Sequence, residues 1–141
     1  MRVLTTAPLA LKLNNIVVAR AAVFIVYFWF GVLKVLDLSP ATPLVHALFD
    51  QTLAAWVEFG TFNLLFGLFE CAIGVLFLFP RATKVAVGLL ALHLITTAGP
   101  LVLLPSYTWS GFLVPSMEGQ YILKNVLIIS AAYTIYKSRK S

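Results

Sequence analysis

Charge is what this chain has least of. Only 11% of its 141 residues are Asp, Glu, Lys or Arg, and 61% are hydrophobic; an ordinary soluble domain is about 25% charged and roughly 45–50% apolar. With a mean hydropathy of +0.97, there are too few polar residues to cover a soluble globule. Cysteine is almost missing too. The single Cys71 excludes an intrachain disulfide framework and a CxxC redox pair, and it leaves iron–sulfur and structural zinc sites without ligands. Glycine-rich phosphate loops are absent, and no nucleophile accompanies His93 in a Ser-His-Asp pattern. Two histidines and five acids are too sparse and scattered to suggest a metal centre. What is there is apolar sequence in long runs, which marks an integral membrane protein of a single domain, residues 1–141.

Four runs are long enough to cross a hydrocarbon core of about 30 Å, which takes roughly 20 helical residues. They lie near 16–36, 61–79, 82–104 and 120–136. Backbone amides in lipid must pair within their own segment, so the expected fold is all-α: a polytopic four-transmembrane-helix bundle. The first apolar run is a full span with no cleavage site after it, so no cleavable signal is expected. The segment "HALFDQTLAAWVEF", about 45–59, is expected to form an amphipathic helix at the interface or to extend the second span, after a turn at "SPATP".

The net charge of +5 could indicate a nucleic-acid partner, but its distribution reads as topology. Eight of the ten basic residues (Arg2, Lys12, Arg20, Arg81, Lys84, Lys137, Arg139 and Lys140) fall on one side of the four spans. The loops 37–60 and 105–119 hold no Lys or Arg but carry Asp37, Asp50, Glu58 and Glu118. The positive-inside rule then puts both termini in the cytoplasm, and no nucleic-acid binding is expected.

Inside the spans four polar residues stand out: Lys34, Glu70, His93 and Lys124. Glu70 falls at the middle of the second span and His93 at the middle of the third, so the hairpin at Pro80–Arg81 brings them to similar depth. Helical spacing puts Asn63, Gly67, Glu70 and Gly74 on one stripe. Small residues let neighbouring backbones approach in membranes, so Glu70 is expected to face the bundle interior. Tyr27, Gly31 and Lys34 form a stripe in the first span, His93, Thr96, Thr97 and Pro100 in the third, and Tyr121, Lys124, Ile128 and Ala131 in the fourth. Competing readings are that both lysines snorkel to the outer interface, that His93 is a core histidine bonded to a carbonyl or threonine, and that Glu70 is ion-paired only to lock helices. A carboxylate at mid-depth costs roughly 2.5–3.5 kcal/mol on insertion scales, which favours a paired or functional group.

The stretches "GVLKVLDLSP", "GLFECAIGVLFLFP" and "EGQYILKNVLIISAAY" resemble the DoxX-like family of small bacterial membrane proteins, related to inner-membrane proteins linked to reactive-chlorine resistance. The likeness runs from about residue 20 to 136. It implies a four-helix membrane bundle in the bacterial cytoplasmic membrane, with Gly31 and Lys34, Gly67, Glu70 and Gly74, and Lys124 with Asn125 as its motif positions. Many relatives carry Asp where this chain has Asn125.

From these residues the leading expectation is an accessory membrane subunit of a redox or quinone-linked system, associated with oxidative stress and without a catalytic centre of its own. It would bind a quinone or lipid, with no covalently held cofactor and no metal, or dock other membrane or periplasmic redox proteins, or form a homo-oligomer. Lys34, Glu70, His93, Lys124 and Asn125 would form a ligand site or buried polar network, and Gly31, Gly67 and Gly74 the packing positions. The alternatives are a proton-coupled transporter using Glu70 and His93 as a relay, a small membrane enzyme using them as acid and base, and a purely structural subunit.

Overall fold

A computed structural model describes the backbone of residues 9–139 and the side chains of residues 15–139. The chain is mostly helical: α1 (Leu9–Val35), α2 (Thr42–Thr52), α3 (Phe59–Leu78), a 3-10 turn (Pro80–Ala82), α4 (Thr83–Ala98), α5 (Pro100–Leu103) and α6 (Pro105–Thr108). A two-stranded antiparallel hairpin follows, β1 (Trp109–Gly111) and β2 (Val114–Pro115), then α7 (Met117–Leu123) and α8 (Asn125–Ser138).

Three stretches are long and apolar enough to cross a membrane: Asn15–Val35, Phe59–Leu78 and Pro80–Leu103, with mean hydropathies of 2.2, 1.9 and 1.9. They sit within a few residues of the first three expected spans. The expected run 120–136 is divided. The ladder tightens at Lys124, where Leu127 N–H bonds the Lys124 carbonyl at 3.0 Å, and α7 and α8 meet there as helices of 7 and 14 residues. Neither is long enough to cross alone.

Local chemistry ends the first helix. Asp37 takes a φ of 55°, and the Asp37 and Leu38 N–H groups bond back to Lys34 and Leu33 carbonyls at 3.0 and 2.7 Å. This is a Schellman ending with aspartate in the left-handed position usually held by glycine or asparagine. Pro43 then opens α2, which starts three residues before the expected 45–59 helix and stops at Thr52, short of Trp56.

Helices α1, α3, α4 and α8 share one core. Val23 and Tyr27, Ile73 and Phe77, Ala86 and Leu90, and Ala132 and Ile135 are its buried members. Each pair lies three or four residues apart, the spacing of one helical face. The outward faces are as apolar as the core: Ile95 is 73% exposed, Val102 80% and Leu127 72%. A surface of that kind suits lipid rather than water.

Candidate functional site: a buried ionic network

The closest helix pair is antiparallel α1 and α3, and glycine sets the approach. A Cβ at Gly31 would lie 2.6 Å from the Gly67 carbonyl oxygen, and one at Gly67 would lie 2.8 Å from the Gly31 oxygen and 2.9 Å from Lys34 Cβ. Gly74 repeats the contact lower down, 3.0 Å from Phe28 N. Each buried stripe follows helical spacing: Arg20, Val23, Tyr27, Gly31 and Lys34 on α1, and Asn63, Gly67, Glu70, Gly74 and Phe77 on α3. The gap beside Gly67 admits the stem of Lys34, so its amine turns inward instead of out to the interface. Asn63 ties the same place, its amide donating to the Lys34 carbonyl at 3.2 Å.

Lys34 reaches both oxygens of Glu70, with Nζ 2.7 Å from Oε2 and 3.0 Å from Oε1. His93 on α4 approaches from the other side, Nε2 2.8 Å from Oε1, and its Nδ1 lies 3.2 Å from the Tyr27 hydroxyl. All four side chains are buried. A carboxylate only accepts, so Nε2 must be the nitrogen that carries hydrogen; Nδ1 of a neutral ring then accepts from Tyr27. A Lys34 ammonium and a Glu70 carboxylate cancel each other when the imidazole between Glu70 and Tyr27 is neutral.

Aromatic rings enclose it. Phe66 stacks on His93 at 5.2 Å with the planes 16° apart, Tyr27 meets His93 edge-on at 5.2 Å, and Lys34 Nζ stands 5.5 Å from the centre of the Phe66 ring. The wall is apolar to solvent and gives the cation a further favourable contact. Thr96, expected on the His93 face, bonds back to the His93 carbonyl at 2.7 Å.

Of the five candidate polar residues, the structure brings Lys34, Glu70 and His93 together. Lys124 stands apart: it is exposed, with Nζ 5.6 Å from the Tyr121 ring centre, and Asn125 beside it is partly exposed. The ladder tightens there, and the buried face of α8 runs through Ala132 and Ile135, with Ile128 and Ala131 of the expected stripe packed against the same core and Tyr121 and Lys124 outside it. Among the described residues no three His, Cys, Asp or Glu side chains converge as metal ligands.

Two participants escaped the sequence reading. Tyr27 was on the right stripe, but nothing local showed that its hydroxyl would meet His93. Arg20 read as a topological charge, yet it is only 7% exposed. Its guanidinium donates to the Phe77 carbonyl at 2.8 Å and to Thr83 Oγ1 at 2.9 Å, clamping α1 to the turn between α3 and α4. Its place three residues before Val23 on the buried stripe was the available signal.

Among the described residues, two cavities on the flanks of the bundle are notable. One, of 470 Å³, is an apolar groove between α4 and α8 lined by Leu90, Leu94, Ala98, Ile129 and Tyr133 among others. The second, of 370 Å³, lies by Arg20 and Arg139. Neither is lined by Lys34, Glu70, His93 or Tyr27. No family model, curated protein or solved structure matches this chain.

Proposed function

We propose that the chain is a small four-span membrane subunit that acts by binding, its ionic centre serving to hold the helices in register. The observation that carries this reading is the closure of the Lys34–Glu70–His93–Tyr27 network: its polar groups meet one another, all four residues are buried, and none lines the α4–α8 groove or the Arg20–Arg139 cavity. A group poised for chemistry would need an approach for substrate. In this reading α7 and α8 together make the fourth crossing, with Lys124 at their joint. Both termini lie in the cytoplasm of a bacterial cell, on the side of the basic residues.

The resemblance to DoxX-like proteins points to an accessory role beside a redox or quinone-linked system, and the α4–α8 groove is the seat for an apolar guest, a quinone or lipid tail, or for a helix of a partner. Purification from native membranes in mild detergent tests this. The expected result is co-purification of a quinone or a membrane partner that Ala91→Trp, at the groove wall, removes without lowering yield. Recovery of the bare protein, with or without that substitution, would contradict it.

One observation favours a second reading. The hydrogen bonds run unbroken from Tyr27 through His93 and Glu70 to Lys34, the pattern of an intramembrane proton relay. Proton flux in proteoliposomes that disappears with Glu70→Gln would support it, and equal flux in both proteins would dismiss it.

A further inference from the structure

Arg20 and Arg139 line the same cavity, and among the described residues no Asp or Glu lines it with them. Among the described residues Glu70 is met by Lys34 and His93 and Asp50 by His46, and none of the chain's Asp and Glu residues lines this cavity. Arg20 is satisfied by two neutral oxygens, Phe77 O and Thr83 Oγ1. These fix the guanidinium but leave its charge uncompensated, and it retains further N–H donors. A nearly buried cation beside a second one is costly unless an anion lies between them.

The rest of the lining says which anion fits. Ile16, Val17 and Leu78 supply an apolar wall next to the arginines. The cavity of 370 Å³ sits at the end of the bundle where the Pro80 turn and the end of α8 meet. We propose that it binds the phosphodiester of an anionic phospholipid, the oxyanion between Arg20 and Arg139 and the first part of an acyl chain along Ile16, Val17 and Leu78. Two guanidiniums suit a phosphate because each offers a planar fork of donors. A zwitterionic headgroup would bring a choline cation toward the same arginines. This inference rests on the membrane reading of the chain and not on the role proposed for the Glu70 network.

The test is native mass spectrometry of the full chain in detergent, titrated with phosphatidylglycerol or with phosphatidylcholine of the same acyl chains. Phosphatidylglycerol should bind more tightly, and Arg139→Gln, which leaves the Arg20 clamp intact, should weaken it by about fivefold, the effect of one basic residue at an anionic surface. Lys84→Gln removes an exposed charge from the same end, outside the cavity, and should leave the affinity unchanged. Equal binding of the two lipids, or equal loss in the two variants, would overturn the proposal. Inorganic phosphate separates a lipid from a free anion: displacement of the lipid by phosphate at or below the lipid's own concentration would show that the site serves the free ion and would overturn the lipid assignment, whereas persistence of the lipid adduct supports it.

Discussion

A single carboxylate in an apolar run is the residue-scale problem this protein solves. Glu70 is stabilised by contact with Lys34 and His93, and the cost of disturbing it depends on what is left behind. Glu70→Leu strands the Lys34 ammonium among Phe66 and the helix backbones, and removing one partner of a buried pair costs about 3–5 kcal/mol. Tyr27→Phe deletes only the bond at His93 Nδ1, and an interhelical hydrogen bond in a membrane is worth about 0.6 kcal/mol on average. Thermal unfolding in detergent should therefore show a large loss for Glu70→Leu and a small one for Tyr27→Phe; comparable losses would mean that the ionic contact carries little. The sequence made Glu70 conspicuous because one charge among apolar residues has few explanations. Which lysine it meets was not legible, because Lys34 and Lys124 both sit near the same end of the spans. The choice depends on the space beside Gly67 and on the turn at Lys124, neither of which is visible in a residue count.

At the scale of elements, the crossing of α1 and α3 positions the network. Any side chain at Gly67 must displace either the Gly31 carbonyl, 2.8 Å from the new Cβ, or Lys34 Cβ at 2.9 Å. Backbone cannot yield cheaply, so Gly67→Ala should cost about 1–3 kcal/mol, the usual range for overpacking. The control is Gly88 on α4, where a Cβ would meet nothing within 4 Å: Gly88→Ala should cause no loss of stability in the same assay. The glycine stripe was readable from spacing alone, because i, i+4 and i+7 positions share a face whatever the tertiary context. The divided fourth segment was not, since hydropathy is blind to one tightened turn. The end of α2 at Thr52 was hidden for a similar reason, as "LAAWVEF" reads equally well as helix or as loop.

At the scale of the whole molecule, two ends carry different chemistry. One end gathers Arg20, Arg81, Lys84 and Arg139; the other carries α2, the hairpin and the acidic loops. If the first faces the cytoplasm, a cysteine placed at Ser110 in a Cys71→Ala background should react with an impermeant maleimide in intact cells, and one at Arg81 only after the membrane is opened. The reverse pattern would invert the orientation. The charge asymmetry behind this expectation was fully legible in the sequence; the burial of Arg20 within it was not. Both ends are joined through one core in which Lys34 meets Glu70 at 2.7 Å, and the central claim is that this pair acts as a unit. A double-mutant cycle on the global unfolding of the purified protein tests it most directly, using Lys34→Met, Glu70→Gln and both together. The account predicts that each single change lowers stability strongly, because each leaves a group without its partner, and that the double change costs no more than the worse single one. Losses that simply add would show that Lys34 and Glu70 act independently, and the account would be wrong.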